Sequence, residues 1–368
     1  MKKKIISSFQ LLCLTSVVLM ACSKDRDYTT VTYSDEIQLG KMIFMDKNLS
    51  NPVGQSCSSC HSAATGFSDL THSIVSEGAV SGLFGNRNAP SVTYTSYVPA
   101  MYFNTVDSTY VGGLFLDGRV NSLEEQAQKP FMNPLEMNIT GVSMLMAKIK
   151  NASYYSLYKQ VYGDITDNNI AFNNIAKAIA SFERTPDVNA FTSKYDYYLL
   201  GQASLTDQEA RGLLLFNDKK KGNCASCHPS DPDAAGGKVL FTDFTYDNIG
   251  VPKNPGNPFY QIPAAFNTAG SNAIDYGLGG FLKNAGEYGK FRVPSLRNVA
   301  LTAPYFHNGY FNTLEEVVHF YNKRDVESFP AAEWPATVNH TELGNLKLTV
   351  QEEKDIVAFM KTLTDGFK

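Results

Sequence analysis

The sequence predicts a mainly α-helical fold of two related halves with long loops between the helices. Three observations point there. Five segments open with helix-start chemistry: Ser34 precedes Asp35 and Glu36, and Ser122, Thr206, Thr313 and Thr349 each stand three residues before a glutamate (Glu125, Glu209, Glu316, Glu352). In that spacing a hydroxyl and a carboxylate satisfy the first-turn N–H groups reciprocally. A helix is predicted over 168–182, where Ala171, Ile175, Ala178, Ile179 and Phe182 share one face. Finally, Phe115, Gly118, Asn121, Ser122, Leu123, Glu124 and Glu125 return as Phe306, Gly309, Asn312, Thr313, Leu314, Glu315 and Glu316, each 191 positions later.

Composition sets the outer bounds. With 43% hydrophobic and 18% charged residues over 368 positions, the chain buries a large core, enough for two domains, and is not disordered. A formal net charge of −4 leaves no electrostatic footprint for nucleic acid. The 27 Gly and 16 Pro are scattered, which excludes solenoid and collagen-like repeats. Residues 229–237 and 248–263 are rich in Gly, Pro, Asn and Asp and read as loops.

The amino terminus reads as an export signal. Lys2, Lys3 and Lys4 precede an apolar stretch over 5–20 that is too short and too interrupted to span a bilayer. Leu19-Met20-Ala21-Cys22 resembles a bacterial lipobox, in which Cys22 is lipidated and becomes the first mature residue. Residues 1–21 are therefore expected to be a lipoprotein signal peptide. Residues 22–33 form a flexible tether, and the protein is lipid-anchored in the cell envelope, facing the periplasm.

Six cysteines are present, and Cys13 and Cys22 belong to that leader. The other four stand in two copies of CxxCH: Cys57-Ser-Ser-Cys60-His61 and Cys224-Ala-Ser-Cys227-His228. This is the attachment pattern of c-type haem, with two thiols for the vinyl groups and the next imidazole as proximal iron ligand. A zinc site or a dithiol oxidoreductase would use the same cysteines. Neither needs a histidine after each pair, twice. Both copies are preceded by Gly-x-x-x-Phe, at Gly40/Phe44 and Gly212/Phe216. The halves are accordingly expected at 34–189 and 190–368, one haem domain each.

The order of these motifs resembles the bacterial di-haem cytochrome c peroxidase family, in some details its MauG-type branch. The resemblance runs through Arg87-Asn-Ala-Pro90, Phe115-Leu-Asp-Gly-Arg119, Gln126, 134–137, Ala180-Ser-Phe-Glu-Arg184, Val293-Pro-Ser-Leu-Arg-Asn298 and Pro304-Tyr-Phe-His-Asn-Gly309. It implies two class-I-like cytochrome c domains packed around an inter-haem interface, with two covalent haem c groups held by Cys57, Cys60, Cys224 and Cys227. His61 and His228 would be the proximal ligands. Gln126 and Glu136 would line the distal pocket of an open first haem, where Glu136 moves a proton between the oxygens of peroxide. It further implies a calcium ion on the Asn88 side chain and the carbonyls of Thr302 and Pro304.

Three positions depart from most members of the family. Leu116 stands where Trp usually lies between the haems, and the single Trp, Trp334, falls in a remote C-terminal loop. Ala79 stands where a distal His usually closes the first iron; His72 would reach only through a rebuilt loop. Tyr321 stands where Met usually ligates the second iron, as in MauG-type members, with Met360 the alternative ligand and His319 facing elsewhere. The expected activity is reduction of hydrogen peroxide by electrons from a small cytochrome c or cupredoxin. A MauG-type oxidase of an organic or protein substrate and a non-catalytic electron-transfer cytochrome are the alternatives. The oligomeric state is open, a homodimer being one option.

Overall fold

Ser34, Ser122, Thr206, Thr313 and Thr349 each sit at a helix N-cap in the computed structural model, which describes residues 33–232 and 237–368. Thr206, Thr313 and Thr349 close full capping boxes. Ser122 differs in one detail: its hydroxyl accepts from Glu125 N, but the Glu125 carboxylate reaches back one residue further, to Asn121 N at 2.9 Å. Residues 1–21, Cys22 and the tether up to residue 32 lie outside the described residues, as do residues 233–236 of one long loop.

The helices are α1 (Asp35–Met45), α2 (Cys57–Cys60), α3 (Leu123–Met132), α4 (Val142–Lys150), α5 (Tyr155–Tyr162), α6 (Asn168–Glu183), α7 (Lys194–Leu199), α8 (Asp207–Asn217), α9 (Gly277–Leu282), α10 (Leu314–Lys323) and α11 (Val350–Lys361). In each half an early helix crosses a late one: α1 packs on α6, and α8 on α11. The crossings explain Gly-x-x-x-Phe. A Cβ on Gly40 would lie 1.9 Å from the Ala178 carbonyl, and one on Gly212 would lie 2.0 Å from the Asp355 carbonyl. Only glycine lets the backbones approach so closely. One turn on, Phe44 meets Phe182 edge-on at 5.3 Å, and Phe216 meets Phe359 in the same way at 5.1 Å.

The repeat at 191 positions carries the same backbone bridge in both copies. Leu114 bridges Val120 as Tyr305 bridges Phe311. Phe115 and Phe306 both take positive φ, 66° and 69°, before Gly118 and Gly309, which do the same. Two small antiparallel ladders complete the structure: β1 (Tyr102–Asn104) with β2 (Thr109–Val111), and β3 (Tyr246–Asp247) with β4 (Phe291–Arg292). These strands are too short to leave a periodic signal.

Two main hydrophobic cores form, one from Leu39 to Val188 and one from Tyr195 to Leu363. Between the halves run polar links: Arg87 forks onto Asp275 at 2.6 and 2.7 Å, Arg292 N donates to Leu116 O at 2.8 Å, and Tyr94 Oη donates to Asp365 at 2.6 Å. Contacts hold Ser34–Lys368 together as one compact unit. Among the described residues no helix is long and apolar enough to cross a membrane.

Candidate active site

The first CxxCH forms a single helical turn, α2, started by Ser56 and closed by His61, whose N–H bonds the Cys57 carbonyl at 2.9 Å. A turn of this pitch places both thiols and the imidazole on one side. His61 Nδ1 lies 3.2 Å from the Phe67 carbonyl. A carbonyl only accepts, so Nδ1 carries the proton and Nε2 is left with its lone pair, the state in which imidazole ligates a metal. Burial holds its pKa below the ordinary histidine value, which favours that neutral form.

The second CxxCH repeats this arrangement with a tighter bond. His228 Nδ1 meets the Phe241 carbonyl at 2.7 Å, and burial lowers the His228 pKa to about 4. Both acceptors are phenylalanines at positive φ, 56° and 53°. The sequence reading missed these two acceptors. A signal was present, since Phe67-Ser68-Asp69 and Phe241-Thr242-Asp243 follow the two motifs at different distances. The unequal loop lengths hid it.

None of these four cysteines forms a disulfide, and burial raises the pKa of each, to about 11 for Cys60 and about 12 for Cys224 and Cys227. Among the described residues no group of three or more His, Cys, Asp or Glu is placed to hold a metal ion.

Near the first pair stands Glu136. Its charge is felt at both Cys57 and Cys60, its Oε1 accepts from Asn133 Nδ2 at 2.8 Å, and burial raises its pKa against that hydrogen bond and the nearby Arg119. The turn that carries it folds back along α3: Glu136 N bonds Asn133 O, and Met137 N bonds Pro130 O. Gln126 lies on α3, half-buried, and its side-chain amide has no protein partner among the described residues. No hydrogen bond joins it to Glu136.

Ala79 offers only a methyl group, while its N–H donates to the Glu136 carbonyl at 2.6 Å. Next to it, a Cβ on Gly78 would fall 2.4 Å from the Leu135 carbonyl. His72 is exposed, and its Nδ1 is tied to Ala303 O at 2.7 Å.

Beside the second pair lies an apolar cavity of about 300 Å³, lined by Cys224, Cys227, His228, Leu116, Tyr321 and Met360 among others. Tyr321 and Met360 thus share a wall, and burial pushes the Tyr321 phenol up. His319 is turned away, between Glu353 at 3.0 Å and Glu327 at 3.1 Å. Trp334 corrects the expectation of a remote loop, because it lines the same cavity. Its loop folds back through Glu333 N to Val251 O and Asn248 Nδ2 to Trp334 O. Asn88, Thr302 and Pro304 also line this cavity, with Asn88 Nδ2 bonded to the carbonyls of Ser73 and Ile74.

Comparison with known proteins agrees with this geometry. The family model for di-haem cytochrome c peroxidase matches residues 34–204. The methylamine utilization protein MauG of Paracoccus denitrificans (strain Pd 1222) is 32% identical over 349 residues, covering 89% of this chain and 88% of its own. Cytochrome-c peroxidase IdrP1 of Pseudomonas sp. (strain SCT) is 32% identical over 344 residues, covering 90% and 81%. The crystal structure of the diheme peroxidase BthA from Burkholderia thailandensis E264 superposes with a TM-score of 0.78 at 33% identity, covering 91% and 87%. A match of this extent, over a chain that presents two half-buried CxxCH turns with their histidines poised through Nε2, places the protein in the di-haem cytochrome c peroxidase family, whose members carry two c-type haems.

Proposed function

We propose that this chain reduces hydrogen peroxide to water at the first CxxCH site, with electrons delivered through the second by a small redox protein. The observation that carries this reading is Glu136, a half-buried carboxyl held by Asn133 beside Cys57 and Cys60, with alanine where a closing histidine would stand. Bound at these sites, haem c supplies the iron that binds peroxide and exchanges electrons. Cys57, Cys60 and His61 would hold the first group, and Cys224, Cys227, His228 and Tyr321 the second. Glu136 takes the proton from the nearer peroxide oxygen and returns it to the farther one. Asn133 keeps that carboxyl in one rotamer, and Gln126 orients the peroxide with its free amide.

The 189/190 division of the domains belongs to the same reading and rests on the two separate cores. So does a calcium ion on Asn88 Oδ1 and the Thr302 and Pro304 carbonyls, neutral oxygens that suit a hard cation with water completing its shell. Cys22 serves as the lipid anchor to the envelope. A MauG-type oxidase is the second reading, favoured by the phenol of Tyr321 on the second cavity wall. The test is peroxide turnover by Glu136→Gln with both haems counted: loss of turnover at full haem content supports the peroxidase, and an unchanged rate removes Glu136 from the mechanism.

A further inference from the structure

Two arginines, Arg292 and Arg297, line the second cavity, and a third, Arg87, pairs with Asp275 of its wall; the three are not equivalent. Arg87 is neutralised by Asp275 and Asp117, and Arg297 by Asp196. Arg292 is 7% exposed, yet among the described residues no carboxylate pairs with it. Its Nε has no hydrogen-bond partner. The rest of the guanidinium has one long contact, from Nη1 to the Val293 carbonyl at 3.4 Å, with the Phe244 ring 5.9 Å away.

The carboxylates on the same wall are engaged elsewhere. Asp247 and Glu342 accept from Asn339, Glu333 faces His307 and the Asp275 N–H, and Asp275 holds Arg87. A second donor is also left over: Trp334 Nε1 is buried with no partner among the described residues. A guanidinium stays ionised under any ordinary condition, and burying one without an anion is strongly unfavourable. The cavity is therefore built for a ligand that brings negative charge into an apolar space next to Cys224 and Cys227.

We propose that Arg292 and Trp334 receive the propionate carboxylates of the second haem, Arg292 as the ionic partner and Trp334 as an indole N–H donor. This rests on the two-haem reading above. Arg292 can fork onto one carboxylate, and its backbone N–H already holds the Leu116 carbonyl, so one residue ties the second haem to the segment between the halves. A fixed positive charge at the porphyrin edge favours the reduced iron, so Arg292 raises the potential of the second haem and leaves the first alone.

The experiment is a spectroscopic redox titration of each haem in the full chain for wild type, Arg292→Gln, Arg292→Lys and Trp334→Phe, with haems counted by mass. Arg292→Gln should keep two haems and shift the second midpoint downward, Arg292→Lys should restore most of the shift, and Trp334→Phe should alter the propionate bending band in the resonance Raman spectrum. Should Arg292→Gln fail to load its second haem, Arg292→Lys decides: loading with a displaced propionate band supports the assignment. Second-haem midpoints and propionate bands that are the same as wild type in every loaded variant overturn it. Fewer than two haems in the wild-type chain would instead sink the di-haem reading itself.

Discussion

Ala79 and Glu136 are joined through their backbones, N–H to carbonyl at 2.6 Å, so the loop that follows the first CxxCH turn is fixed to the segment carrying the Glu136 carboxyl. Ala79 thereby holds the Glu136 segment in place through its backbone.

The first prediction concerns that acid. Losing a general acid-base group costs roughly a hundredfold to ten-thousandfold in rate, so Glu136→Gln should reduce peroxide turnover on that scale with its spectra intact. Because burial raises the Glu136 pKa, the ionised form that accepts a proton appears only above the range of an ordinary glutamate. kcat/KM should therefore rise with pH through a limb lying above that range, and the limb should vanish in Glu136→Gln. A pH profile measured on both proteins checks this.

Crossing glycines give a prediction for stability. In Gly212→Ala the new Cβ meets the Asp355 carbonyl at 2.0 Å and the helices α8 and α11 must separate. Forced overpacking of this kind costs about 1–3 kcal/mol or more. Gly40→Ala should act similarly on α1 and α6, where the Ala178 carbonyl is 1.9 Å away. Denaturant unfolding of the two variants measures it, and an unchanged midpoint would mean that the crossings relax freely.

These glycines show what a single sequence makes legible. The caps, the long helix and the Gly-x-x-x-Phe spacing are local signals, and each appears where the residues put it, with α6 ending at Glu183 rather than 182. The two attachment motifs were equally plain. The Phe67 and Phe241 acceptors were not, because loops of unequal length hide an equivalence that exists only in space. Arg292 gave no sign at all: its lack of an anionic partner depends on which carboxylates other segments have already taken. Trp334 was misplaced for the same reason, since a loop's return is decided by hydrogen bonds to residues some 85 positions away, such as Asn248.

His319 links α10, which carries Tyr321, to α11. Burial alone would lower its pKa, but the Glu353 and Glu327 carboxylates outweigh burial and leave it raised. A raised pKa in the folded state means that the contribution is fully present below the unfolded value of about 6.5 and is lost as pH rises through the folded value. His319 is 39% exposed and its charge is screened by solvent, so the effect is small. His319→Gln should lower Tm at pH 5.5 and leave it unchanged at pH 9. A larger loss at pH 9 would contradict this.

Tyr321 and Met360 line one cavity and are separated by spectroscopy. With a phenolate as sixth ligand, Tyr321→Phe should change the second haem's absorption and paramagnetic resonance signals alone, while Met360→Leu leaves them as they are. The reverse pattern would assign thioether ligation, and with it a higher second-haem potential.

The most direct test of the account is to mix the fully ferric, as-isolated protein with hydrogen peroxide in a stopped-flow instrument before any reductant is added, after recording its electron paramagnetic resonance spectrum. With Ala79 unable to ligate and His72 tied to the Ala303 carbonyl, the account predicts one high-spin and one low-spin haem and an immediate spectral change on mixing. Two low-spin signals, with no reaction until one haem has been reduced, would contradict it.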